Sequence, residues 1–166
     1  LGLVFGKLFN QPMSEYLPFL ATGFLVWNFL SVVVSESTSV FFDAGSFIKQ
    51  TQLPFTLYLF RLILRNAIIF FHNAAVFLLI MLIFKIPFTH HAIFFLPGFL
   101  LLVLNICWMA LIVSLLGTRF KDIGQIAINF MQVMFFVSPI TWMPKLINPD
   151  SWLLFFNPFV YYIDLV

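Results

Sequence analysis

The chain has 166 residues, of which 63% are hydrophobic, 20% aromatic and only 8% charged, with a formal net charge of +2 and a mean hydropathy of +1.09. A water-soluble domain of this size has too little polar surface to cover that much apolar material. The composition excludes a soluble fold and points to a polytopic membrane protein, whose chemistry must lie where the few polar residues gather.

Taken in chain order, Leu1 to Leu8 reads as the tail of an earlier span. The run Gly2-Leu-Val-Phe-Gly-Lys-Leu8 looks superficially like a phosphate loop. It is one residue short between the glycines, has Leu8 where a Mg-binding hydroxyl should stand, and sits on an apolar helix rather than after a strand, so nucleotide binding is not expected there. Gly2 and Gly6 are either a small-xxx-small pair that lets another helix approach or simply two glycines near a helix end. Residues 16 to 35 form an uncharged run of 20, enough for one spanning helix.

The chain then leaves the bilayer through Glu36 to Ser39, and Asp43-Ala-Gly-Ser46 gives a helix-start signal. A short amphipathic surface helix is expected, with Phe47 and Ile48 able to dock and Lys49, Gln50 and Gln52 staying wet, closed by Pro54. Phe55 begins the next span, whose uncharged part covers 66 to 84. Arg61 and Arg65 lie four apart, on one helical face, one and two turns into it. Buried centrally, each would cost about 2.5 to 3.5 kcal/mol; they are expected to snorkel to headgroups or to line a path for an anionic substrate. His72 and Asn73 fall inside the same span and either face a watery path or hydrogen-bond across helices.

Thr89-His90-His91 reads as an external turn; no Cys or carboxylate stands at ligand spacing, so no metal site is expected. The uncharged run from Ile86 to Thr118 fits one helix, roughly Ile93 to Gly117, with Pro87 and Pro97 shaping its start and Cys107 as a packing residue. A tight link follows, with Arg119, Lys121 and Asp122, the carboxylate lying near the next helix start. The uncharged run from 123 to 144, 22 residues, reads as a further span broken by Ser138-Pro139-Ile140. Trp142, Pro144, Pro149 and Trp152 then crowd a stretch best explained by short helical pieces dipping into the outer leaflet under cover of protein. Pro158 to Val166 reads as the head of a last span. The chain starts without Met and stops inside an apolar pattern, as expected of an internal piece of a larger protein.

The expected fold is an all-α integral membrane protein of six crossings, the first and last partial, in a single domain over residues 1 to 166; the unbroken apolar runs exclude the alternation of a barrel. Alternation of spans places Lys49, Arg61, Arg65, Arg119 and Lys121 on one side and Lys7, Lys85 and Lys145 on the other, which favours the first side as cytoplasmic.

Three motifs, Arg119-Phe-Lys-Asp-Ile123, Ser138-Pro-Ile-Thr-Trp-Met-Pro144 and Phe156-Asn-Pro-Phe159, together with the segment Ile48 to Pro54, resemble the permease subunits of ABC-2 type exporters. The likeness is greatest to the O-antigen, capsule and teichoic-acid polysaccharide permeases of the cytoplasmic (inner) membrane. That resemblance implies a six-span bundle with short re-entrant outer-leaflet helices. It also implies a homodimer, a separate ABC ATPase subunit holding ATP and Mg, and a lipid-linked glycan as cargo, with no cofactor in this chain and no nucleic-acid partner. By the same resemblance the region around Ala44 to Leu53 is the coupling helix seated in the ATPase and the stretch 140 to 156 holds the external gate elements. The residues expected to couple to the ATPase are Asp43, Phe47, Ile48, Lys49, Arg119, Lys121 and Asp122, and those expected in the substrate path and its gate are Arg61, Arg65, His72, Ser138, Pro139, Trp142, Trp152, Tyr161 and Tyr162. The family's N-terminal interface helix and the end of its sixth span are absent from the chain.

The aromatic content is compatible with a conduit for sugars, since rings offer flat apolar faces with few directional demands; most of the 25 Phe face lipid under the simpler reading. Trp142, Trp152, Tyr161 and Tyr162 serve equally as an interfacial belt. Alternatives are an ABC-2 exporter of small hydrophobic compounds, a membrane-embedded transferase acting on lipid-linked sugars, and a passive channel. For the transferase no catalytic constellation assembles, because His72, Asp164 and Glu15 stand apart in the sequence.

Overall fold

The computed structural model describes residues 13–50, 53–83, 95–140 and 160–161. Within them the chain forms α1 (Met13–Ser37), two short helices α2 (Val40–Asp43) and α3 (Gly45–Gln50), then α4 (Phe55–Ile83), α5 (Phe95–Arg119) and α6 (Ile123–Val137). Three stretches of these, Tyr16–Ser37, Phe55–Leu79 and Phe95–Arg119, are long and apolar enough to cross a membrane. Helices are the outcome because each backbone donor in lipid needs an acceptor within its own segment. Pro97 is tolerated in the first turn of α5, where its missing N–H would have had no intrahelical partner.

The sixth helix ends at the break read from Ser138-Pro139-Ile140 within the uncharged run 123 to 144: α6 stops after 15 residues at Val137. Ser138 turns to extended backbone (φ −83°, ψ 146°), the conformation forced on a residue preceding proline. At ~1.5 Å per residue α6 covers about 22 Å, short of the roughly 30 Å of a hydrocarbon core. The non-helical backbone that follows is packed in protein rather than exposed: Ser138, Pro139 and Ile140 are all buried, and Ile140 lies against Gly23 of α1, where an added Cβ would meet its Cγ2 at 3.3 Å.

The helix α1 is central and touches α4, α5 and α6. Its Val26, Leu30 and Val33 are essentially inaccessible. A knot of rings binds α1, α4 and α5 together: Phe70 stacks on Phe99 at 4.5 Å between centroids, and Phe29 approaches both at 5.6 and 5.5 Å. On the other flank Phe135 of α6 lies 5.5 Å from Phe24 and 5.8 Å from Trp27. Since lipid tails are as apolar as these side chains, it is the closeness of packing, more than exclusion of water, that holds such helices together.

At the far end of α1 the chain turns through Thr38, whose hydroxyl donates to the Ser35 carbonyl at 2.7 Å. Thr38 sits on two glycines. At Gly117 of α5 an added Cβ would fall on the Thr38 carbonyl oxygen and 2.8 Å from its carbon; at Gly124 of α6 it would meet Thr38 Oγ1 at 3.4 Å. Only a residue without a side chain lets α5 run under this turn, and the result is that α2 also contacts α4 and α5.

Candidate functional site: two grooves beside a central helix

The short helices α2 and α3 and the link from Arg119 to Asp122 lie at one end of the bundle, joined through the contact of Thr38 with Gly117 and Gly124. Helix α3 begins at Gly45, close to the start signal read from Asp43-Ala-Gly-Ser46. The Asp43 carboxylate accepts a hydrogen bond of 2.7 Å from Ser39 Oγ, one turn earlier. Phe47 is 58% exposed, Lys49 is exposed and Ile48 is half-buried, so this helix presents an apolar ring and a cation outward. Arg119, Lys121 and Asp122 are exposed as well, and the Arg119 guanidinium lies 5.6 Å over the Phe120 ring. The expected coupling residues thus lie at the same end of the bundle.

From this end a groove runs between α1 and α4. Its mouth, about 280 Å³, is lined by Glu36, Asp43, Phe47, Tyr58, Arg61 and Arg65, among others. It continues through a hollow of about 400 Å³ that shares Glu36 and Arg65 with the mouth and reaches Asn28 and Asn73. A third of about 350 Å³ shares Asn28 and Asn73 and ends at Ala21 and Phe77. At its neck Arg65 Nη2 pairs with Glu36 Oε2, and the Asn66 side-chain amide donates to the same oxygen at 2.7 Å and to the Leu62 carbonyl at 3.1 Å. Asn66 is only 5% exposed, so these bonds spare a buried amide from going unsatisfied. The ion pair itself is wetter, with 58% of the Arg65 side chain and 39% of that of Glu36 accessible, which places it in the weak class of exposed salt bridges.

On the opposite flank of α1 a second groove, about 370 Å³, lies against α6 and is lined by Trp27, Ser31, Ser35, Ile128, Met131, Gln132, Phe135 and Phe136, with no ionisable side chain. Gln125 donates to Asn129 at 3.0 Å, and Gln125, Asn129 and Gln132 are exposed along one face of α6. This face had no part in the sequence reading, although amides at steps of four and three residues in an otherwise apolar helix are a legible signal.

The expected path residues separate. Arg61 and Arg65 share the α1–α4 groove, whereas His72 is exposed beside it and the neighbouring Asn73 takes its place in the lining. Glu36, Asn66 and Asn28, none of them singled out from the sequence, complete the row. Ser138 and Pro139 are buried. Tyr161 is 51% exposed. Trp142, Trp152 and Tyr162, like the Gly2 to Leu8 run and His90-His91, lie outside the described residues.

The model of the ABC-2 type transporter family matches residues 1–166. The chain belongs to the ABC-2 type transporter family. No curated protein matches it. As an ABC-2 chain it is the transmembrane permease component of an ABC transporter, and the family implies an ABC ATPase partner.

Proposed function

We propose that this ABC-2 chain is half of a homodimeric exporter that moves a lipid-linked polysaccharide, of O-antigen or capsule type, outward across the cytoplasmic membrane, driven by ATP hydrolysis in a separate subunit. The observation that favours a glycan cargo is the α1–α6 groove, where Trp27, Phe135 and Phe136 alternate with Ser31, Ser35 and Gln132 and no charge intervenes. Ring faces suit sugar C–H surfaces, and hydroxyls and amides match sugar hydroxyls without binding any one unit tightly. The exposed amides of α6 also disfavour contact with lipid, where a polar group lacks partners, and favour a second copy or a hydrated passage over that face. The end carrying Lys49, Arg61, Arg65, Arg119 and Lys121 is cytoplasmic under the positive-inside rule, and the motor would seat on Phe47, Ile48 and Lys49 with Asp43, Arg119, Lys121 and Asp122 around them.

Reconstitution with the ABC ATPase tests this reading. Lipid-linked glycan is expected to raise the ATPase rate and amphiphilic drugs are not. Stimulation by drugs alone would move the cargo to small hydrophobic compounds, and translocation without any ATPase would overturn the division of labour.

A further inference from the structure

We propose that the mouth of the α1–α4 groove binds the phosphate of an anionic membrane phospholipid, with an acyl chain lying along the groove behind it. The inference rests on membership of the ABC-2 family and on membrane placement, and is independent of the identity of the cargo. Four charged side chains line the mouth: Glu36, Asp43, Arg61 and Arg65. Three of them are engaged, Arg65 with Glu36 and Asp43 with Ser39. No described carboxylate pairs with Arg61, which is exposed, one helical turn before Arg65 on the same face of α4. Two guanidiniums in that register lie beside Glu36 near the end of α1, so that in a membrane they would stand toward the headgroups, and guanidinium is the side chain best shaped for a phosphate.

The rest of the groove suits a tail. Beyond Glu36 and Arg65 the walls are mainly apolar, with Leu25, Phe29, Val32, Ile69 and Phe70 interrupted by the amides of Asn28, Asn66 and Asn73, and the lining extends to Ala21. Ala21 to Glu36 on α1 spans 15 residues, or about 22 Å at ~1.5 Å each, more than the roughly 15 Å depth of one leaflet's hydrocarbon. A free phosphate would use only the mouth, whereas a phospholipid uses both parts. Asp43 opposes the phosphate, so the site is tuned to hold lipid exchangeably rather than permanently.

The test is native mass spectrometry of the detergent-purified full chain, loaded from vesicles of equimolar phosphatidylglycerol and phosphatidylcholine. Preferential retention of phosphatidylglycerol is expected, falling about fivefold, a charge-sized effect near an anionic surface, in Arg61→Gln. Arg61→Lys should keep most of it, which separates lost charge from a folding defect, and Asp43→Asn should raise it. Equal retention of the two lipids, or unchanged retention in Arg61→Gln, overturns the proposal. Displacement of phosphatidylglycerol by millimolar inorganic phosphate overturns the acyl-chain part and leaves a phosphate site only. None of these readings involves ATPase or glycan, so failure of the cargo assignment would not be mistaken for failure here.

Discussion

The two flanks of α1 solve opposite problems. Toward α4 the helix is tied by a carboxylate, a guanidinium and a buried amide over a knot of phenylalanines; toward α6 it faces tilted rings, hydroxyls and amides with no charge between them. Fixed charges define positions and hold neighbours in register, whereas neutral polar groups and ring faces let something slide past. On the function proposed above, the first flank keeps its geometry and the second tolerates a changing occupant.

Truncating rings on each side gives the hardest test of that contrast. Phe70→Ala removes a buried ring in contact with Phe29, Phe71, Phe95 and Phe99 and is expected to cost about 3 kcal/mol, read as a fall in thermal midpoint in detergent. Phe135→Ala, only half-buried, should cost clearly less; a reversed order would end the assignment of rigidity to the α4 flank. Next in size, Glu36→Ala leaves Asn66 with the Leu62 carbonyl alone and Arg65 unpaired, for an expected loss of about 1 to 2 kcal/mol. Glu36→Gln should lose less, because an amide oxygen still accepts from Asn66.

On the α6 flank the expectation is inverted. Gln132→Leu and Asn129→Leu should change stability by no more than about 0.5 kcal/mol, as exposed positions do, while lowering glycan-stimulated ATPase and transport. Smallest of all, raising salt from low to molar concentration should narrow the gap between wild type and Glu36→Gln by a few tenths of a kcal/mol, since the Arg65–Glu36 pair is largely wet. A gap insensitive to salt would show that hydrogen bonding at Asn66, and not charge, ties this flank.

The long helices were readable because charge islands mark where the chain meets water, and α1, α4 and α5 fall where those islands leave room. The end of α6 was legible too, because Ser138-Pro139 carries the stop in its backbone chemistry inside a run of uncharged residues that continues to 144. Which polar residues share a groove was not legible in the same way. Asn28, Glu36, Asn66 and Asn73 meet because α1 and α4 are rotated by packing at Phe29, Phe70 and Phe99, a property of the pair rather than of either sequence. The choice between His72 and Asn73 turned on a single helical step of rotation, which composition does not encode.

The bare backbone at Gly117 has a wider consequence. Because the Thr38 peptide rests directly on α5 with no side chain as a spacer, the height of the Val40–Gln50 platform above the bundle is set by main-chain atoms. Under the coupling role proposed above, side chains on that platform could be exchanged to suit a different motor without shifting where its thrust arrives. A single methyl group at position 117 would instead wedge the platform off its seat while leaving every docking residue unaltered.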